Sequence, residues 1–212
     1  MADLELEKRV AAEAAAELVQ AGQLVGLGTG STVAHLLDAL AARGLDGVRC
    51  VATSPATERR CRELGLHVEP FEGLARLDIA IDGTDQVSPD RWLVKGGGAA
   101  HTREKIVAAA ADRFVVIGSS DKPVDAIGPP VPLELLAYGL DATLRAIGDV
   151  ALRDVPSSPD GGVIADYLGP VGDPAQLAAR LDAVPGVVAH GLFAPALVSD
   201  VLIARATTVT AL

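Results

Sequence analysis

Two aspartates three residues apart, Asp82 and Asp85 in the stretch Asp82-Gly83-Thr84-Asp85, follow directly on the apolar run LDIAI. Carboxylates at that spacing on a tight turn can converge on one site, where mutual repulsion raises the pKa of one of them. Such a pair can handle hydroxyl protons or orient a sugar. The same residues also suit an ordinary Asx-type turn with solvated acids. A second segment, Lys95-Gly96-Gly97-Gly98, follows WLV. Three successive glycines cost chain entropy unless the backbone must pass very close to something. Lys95 is suited to neutralising an oxyanion or the acidic pair. A flexible hairpin tip is the weaker alternative, because a helical pattern, AAHTREKIVAAAA, starts directly afterwards. Glu104 lies early in that helix. It can act as a general base if apolar neighbours lift its pKa towards neutrality, or it simply complements the helix dipole. His101 reads as structural.

The turn Gly28-Thr29-Gly30-Ser31-Thr32 follows the apolar stretch QLVGL. Glycines let backbone amides approach an anion closely, and the helix that follows adds partial positive charge at its N-terminus. Ser31 and Thr32 can cap that helix and offer hydroxyls to a phosphate. Val33 stands where a GxGxxG motif ends, and no Lys follows Gly30 as in a Walker A loop, so neither a dinucleotide nor an ATP loop is indicated. A tight strand-to-helix turn with an ordinary cap fits equally well. Lys122, in SSDKP after FVVIG, is a cation at the end of another strand, or a solvated loop lysine.

Each of these segments comes just after an apolar strand, the edge at which parallel α/β sheets bind ligands. The elements behind them alternate. Strands are expected at Gln23–Leu27, Val48–Thr53, HVEPF, LDIAID, RWLVK and RFVVIG. Helices are expected from Leu4 to Val19, over VAHLLDALAAR closed by Gly44, and over ATERRCREL between Ser54-Pro55 and Gly65. That order predicts an α/β fold with a mainly parallel sheet covered on both faces.

Composition shifts at Ile127-Gly128-Pro129-Pro130. Residues 1–128 are therefore expected to form the main domain and 129–195 a small α+β domain. In the latter, VPLELLAYGLDATLRAIGDVALRD reads as a short strand and a long helix. The turn VPSSPDGG, the strand GVIADYL, and a helix and strand in DPAQLAARLDAVPGVVAHGLF follow. The tail, about 196–212, is expected to rejoin the main sheet through DVLIARA.

Half of the 212 residues are hydrophobic, which is ample for a substantial core. With 18 Lys and Arg against 28 Asp and Glu, the net charge is -10, and no basic stripe stands out to attract nucleic acid. Arg59, Arg60 and Arg62 read as a solvated helix face. Two cysteines and four scattered histidines suit neither a disulfide framework nor a transition-metal site. The first helix is charged and amphipathic, unlike a secretory signal, and no apolar run approaches membrane-spanning length, so a cytoplasmic location is expected.

Taken together, VGLGTGSTVAHLLDAL, TSPATERRCRELG, DIAIDGTDQV, LVKGGGAAHTREKI, FVVIGSSDK and VPGVVAHGLF resemble the ribose-5-phosphate isomerase A family in the expected order over most of the chain. The pair LVKGGGAAHTREKI and IDGTDQV is the most specific part. The resemblance implies a Rossmann-like parallel-sheet domain with a smaller α+β (ferredoxin-like) domain, in a homodimer or homotetramer. It implies interconversion of D-ribose 5-phosphate and D-ribulose 5-phosphate through an enediolate, in the non-oxidative branch of the pentose phosphate pathway. No metal or organic cofactor is implied, and the partner is a small phosphorylated sugar rather than nucleic acid or membrane. By position, Glu104 falls on the family's proton acceptor, with Asp82, Asp85 and Lys95 as its catalytic companions. Thr29, Gly30, Ser31 and Thr32, then Asp82, Gly83, Thr84 and Asp85, fall on substrate-binding segments, as do Lys95, Gly96, Gly97, Gly98 and Lys122. Lys8 aligns with a phosphate-contacting lysine. Thr84 departs from the family's usual Ala, His101 from its frequent Leu, and VPSSPDGG is less like the family than the rest of the chain. The alternative is a non-catalytic sugar-phosphate sensor of similar fold, which would need the anion loop but not the set Asp82, Asp85, Lys95 and Glu104.

Overall fold

A computed structural model describes residues 2–212. In chain order the elements begin with α1 (Leu4–Ala16), β1 (Leu24–Leu27), α2 (Ser31–Arg43), β2 (Arg49–Ala52), α3 (Pro55–Glu63) and β3 (Ile79–Gly83). Next come β4 (Gln86–Val87), β5 (Leu93–Val94), α4 (His101–Ala110), β6 (Phe114–Ser119), β7 (Val131–Leu135), α5 (Leu140–Ile147) and β8 (Val150–Leu152). The rest are β9 (Val163–Tyr167), α6 (Pro174–Asp182), β10 (Val187–His190), β11 (Leu192–Phe193), β12 (Asp200–Arg205) and β13 (Thr208–Ala211). They form two compact units. The first contains the chain up to Thr84, Arg103–Lys122 and Ala196–Leu212; the second contains Asp85–Thr102 and Pro123–Pro195.

In the first unit the short apolar strands order as β13-β12-β6-β3-β1-β2, all parallel except β13, which returns antiparallel on β12. The alanines of α1 (Ala11, Ala12, Ala15, Ala16) pack with Leu36, Leu37 and Leu40 of α2 over Val25, Ile79, Ile81, Val115 and Ile117. Small side chains let the helix lie close to its neighbours. The same close approach recurs beneath α4, where a Cβ on Gly26 would overlap Val107. The expected stops hold: Ser54 caps α3 ahead of Pro55, and Gly44 ends α2 in the left-handed region at φ +54. Helix α1 stops at Ala16 instead of Val19, where Arg43 reaches across to the carbonyl oxygens of Ala16 and Val19. HVEPF is not a full strand. Only Val68 bridges, to Cys50, and Pro70 has no N–H to continue a ladder. The tail joins the sheet through β12, and the hairpin return β13 goes beyond the sequence reading. Cys50 and Cys61 are free and wholly buried. Burial pushes their thiols up to about 12 and about 11, with Cys61 adding to the effect on Cys50.

The second unit carries an antiparallel sheet ordered β10-β7-β9-β8. Its chain order β7-α5-β8-β9-α6-β10 is the ferredoxin-like βαββαβ arrangement, with Leu133, Leu135, Ile147, Leu177 and Leu181 in its core. The long helix expected here is short. Gly139 and Gly148, both with positive φ, bound α5, and the residues after Gly148 become β8. A three-stranded sheet, β11-β5-β4, draws residues 85–102 into this unit, whereas the sequence placed them with 1–128. No helix among the described residues is long and apolar enough to cross a membrane.

Candidate active site

In the first unit, β1, β3 and β6 run parallel, so Gly28, Gly83 and the residues after Ser119 share one edge of the sheet. Asp82 is buried at the end of β3. Its Oδ1 accepts the amides of Thr29 at 3.2 Å and Gly83 at 2.7 Å, which fixes the carboxylate against the turn after β1. A Cβ on Gly28 would overlap that carboxylate, so only glycine permits this approach. The turn is supported from its other side by hydroxyls. Thr29 Oγ1 meets Thr53 Oγ1 at 2.9 Å, Thr57 Oγ1 donates to the Gly28 carbonyl at 2.8 Å, and Ser54 Oγ donates to Thr57 at 3.0 Å. Ser31 and Thr32 do not cap α2. The helix starts at Ser31, so the cap position falls on Gly30, at φ +120, with no side-chain bond to the first amides. With no cap side chain on those amides, the helix start is suited to an anion.

Glu104 is buried in the first turns of α4. Lys122 pairs with Asp121 at 3.0 Å, in a turn closed by its own amide on the Ser119 carbonyl; a Cβ on Gly118 would come 3.1 Å from Lys122 Cγ. Lys8 pairs with Glu5 at 2.6 Å on α1. Its neighbour Glu7 is buried and accepts the amides of Ser120 at 2.8 Å and Ala206 at 2.9 Å. The Ala206 bond, then those of Ser120, hold the Glu7 carboxyl below its ordinary range. Glu7 therefore ties the loop after β6 to the β12–β13 turn.

In the second unit, Asp85 Oδ2 accepts the Gly97 amide at 2.9 Å, and the Asp85 amide donates to the Val94 carbonyl at 2.8 Å. Lys95 is buried, its ammonium 5.4 Å from the centre of the Phe193 ring, and its backbone N–H donates to Gly191 at 2.9 Å. Gly96 sits at φ +108, and a Cβ there would come 2.8 Å from His101 Nδ1, so the wholly buried His101 fills the space that Gly96 leaves. Glu134, buried on β7, accepts hydroxyl hydrogen bonds from Thr102 and Ser158. Ser158 in turn takes the amides of Asp160 and Gly162, which gives the VPSSPDGG turn its shape.

The expected residues thus fall into two groups. Thr29, Asp82 and Gly83 meet directly, Thr32 lies against Gly83, and Thr84 is buried beside them in sequence. Asp85, Lys95, Gly96, Gly97 and Gly98 belong to the second unit. The chain passes between units at Thr84/Asp85, so the two aspartates hold different turns. Thr53, Thr57, Glu7, Glu134 and Arg153 were not singled out in the sequence; the hydroxyls of the Thr53–Thr57 stretch, next to an N-cap, were its one available signal. Among the described residues no group of three or more His, Cys, Asp or Glu side chains could hold a metal ion.

A parallel sheet with glycine turns and buried ionisable side chains beyond its strand tips is the architecture of an α/β enzyme. The sequence model of one family, "Ribose 5-phosphate isomerase A (phosphoriboisomerase A)", matches residues 49–208. The chain is 45% identical to the ribose-5-phosphate isomerase A of Caulobacter vibrioides, over 88% of this chain and 89% of that protein. The crystal structure of ribose 5 phosphate isomerase A from Neisseria gonorrhoeae superposes with a TM-score of 0.95 at 29% identity, covering 100% of this chain and 98% of that one. A D-ribose-5-phosphate isomerase in complex with phospho-erythronic acid superposes with a TM-score of 0.92 at 30% identity, covering 99% of each chain. The chain belongs to the ribose-5-phosphate isomerase A family.

Proposed function

We propose that this chain interconverts D-ribose 5-phosphate and D-ribulose 5-phosphate, with Glu104 as the base. The observation that carries the reading is the burial of Asp82, Lys95 and Glu104, each only 3% exposed, next to glycine turns and element ends. Taking an ionisable group out of water costs several kcal/mol before any compensation, a cost that sites of chemistry bear where such groups gather at strand and helix ends. Chemistry supplies the reason. The open-chain aldose loses its C2 proton to the Glu104 carboxylate, and the C2–H electrons form a C1–C2 double bond as the C1 carbonyl electrons move to oxygen. The same carboxyl returns the proton to C1 while the O2 proton is lost and the C2 carbonyl forms. Net, one hydrogen moves from C2 to C1 and one from O2 to O1, and no external oxidant is needed.

The Lys95 ammonium is suited to the negative charge that grows on O1 and O2. Asp82 and Asp85 relay the hydroxyl protons and assist ring opening. The Thr29–Thr32 turn, with Lys8 and Lys122, holds the phosphate; binding this non-reacting end orients the reacting one. The phospho-erythronic acid bound by the structural relative supports this, since a planar carboxylate on a phosphorylated sugar acid resembles the enediolate. The enzyme is read as a cytoplasmic homodimer or homotetramer using neither metal nor organic cofactor. No finding favours the sensor alternative.

Incubation with ribose 5-phosphate in excess chelator, following ketose formation, tests the activity; no ketose would refute it. Glu104→Gln is nearly isosteric and should lower kcat at least about 1000-fold while leaving sugar-phosphate binding intact. Wild-type turnover in that variant would remove Glu104 from its role.

A further inference from the structure

The run Gly96-Gly97-Gly98 has no side chains with which to fix its own shape, yet Gly97 must aim its amide at Asp85. We infer that Arg153, anchored by Asp166, is the positioning residue that sets this turn for catalysis. The inference rests on the isomerase reading given above. Arg153 follows β8, and its side chain is spent on two tasks. Nε and Nη2 form a bidentate pair with Asp166 of β9, at 2.7 and 2.6 Å. Nη1 donates to the Gly96 carbonyl at 2.9 Å and approaches the Gly97 carbonyl at 3.4 Å. Arg153 and Asp166 are only 17% and 18% exposed, so the pair is sheltered and its fork held in one orientation.

The consequence follows from peptide geometry. In a trans peptide the C=O of one residue and the N–H of the next point to opposite sides. Holding the Gly96 oxygen towards Arg153 therefore drives the Gly97 N–H the other way, onto Asp85 Oδ2. The order of action is Asp166, Arg153, the Gly96–Gly97 peptide, then Asp85, with Lys95 as the residue immediately before the restrained glycine. Three consecutive glycines would otherwise sample many backbone states, and within the segment the Ala99 amide closes on Gly96 O at 3.1 Å. Lysine could not substitute, since a single ammonium lacks the planar fork that grips Asp166 and a carbonyl together.

The test is steady-state kinetics on the full chain with ribose 5-phosphate. Arg153→Met should lower kcat roughly 10- to 100-fold with KM changed less than about threefold, since the phosphate end of the substrate is untouched. In an Asp85→Ala background, which removes the acceptor of the Gly97 amide, Arg153→Met should add less than about twofold, because the two act in series. Arg153→Lys should not restore kcat. A kcat within about twofold of the unmodified chain, or full additivity with Asp85→Ala, overturns the positioning role. Should Arg153→Met fail to fold, Asp166→Asn keeps the guanidinium but loosens its anchor and must show the same split; a normal kcat there overturns the role as well. Lack of isomerase activity in the unmodified chain would instead overturn the function on which the inference rests, a distinguishable result.

Discussion

The turn at Gly28–Gly30 and the turn at Gly96–Gly98 present backbone in similar ways but are held by different chemistry. The first is set by neutral hydroxyls from Thr53, Ser54 and Thr57 on one side and a buried aspartate, Asp82, on the other. The second is set by ions, Arg153 with Asp166 on its carbonyls and the exposed Asp85 on an amide. The turn wedged between adjacent parallel strands has short side chains within reach, so neutral hydroxyls and one buried carboxylate hold it. The glycine run after the two-residue strand β5 is held instead by a long, planar donor on its carbonyls. The difference predicts which turn tolerates change. The crowded, buried one has no slack, whereas an exposed carboxylate can move aside.

The sharpest comparison is Gly28→Ala against Gly97→Ala. The Gly28 Cβ would overlap a carboxylate that is only 3% exposed, so kcat/KM should fall roughly 100-fold or more. At Gly97 the added Cβ comes 3.0 Å from Asp85 Oδ1, which must shift and so loosen its hold on the Gly97 amide, and the loss should match that of Arg153→Met, about 10- to 100-fold, below that of Gly28→Ala. Equal losses, or the reverse order, would break the comparison. A smaller effect is expected for Thr57→Val, which keeps the shape but removes the donor to the Gly28 carbonyl. Stability should drop by about 1 kcal/mol, read from the urea midpoint. A drop no larger than that of an exposed threonine would show the hydroxyl web to be idle.

The smallest effect concerns Glu7, a charged anchor within the hydroxyl-held unit. Its folded pKa lies below the ordinary 4.5, so its contribution to stability is fully present above that value and is lost as pH falls through the folded pKa. The gap in urea midpoint between the unmodified chain and Glu7→Gln should accordingly be widest near neutrality and close in acid. A gap that widens in acid would reverse the assignment.

Much of the fold was legible because its signals are local. Strands such as LVGL and FVVIGS are short apolar runs, and Ser54-Pro55 and Gly44 punctuate helices by mechanisms that need no tertiary partner. The candidate-site segments stand out in the sequence for the same reason, each sitting where an apolar run gives way to glycine or to paired charges. What stayed hidden depended on distance. The two-residue strand β4 has no period to read, and β5, although expected within RWLVK, takes as one partner β11, about a hundred residues along. Arg153 and Glu134 are ordinary residue types in an ordinary hairpin and strand; only folding brings them to Gly96 and Thr102. Ser31 and Thr32 misled as caps because a cap is defined by backbone position, and glycine at residue 30 took it.

The burial of Cys50 and Cys61 gives the chain a built-in reporter. With thiols titrating at about 12 and about 11 and no surface on either sulfur-bearing residue, the thiolate fraction at neutral pH is negligible. Alkylating reagents should therefore leave the native protein untouched and mark it only as the parallel sheet opens. A cysteine introduced on the surface would then be the single site for a fluorophore, with both natural thiols left in place.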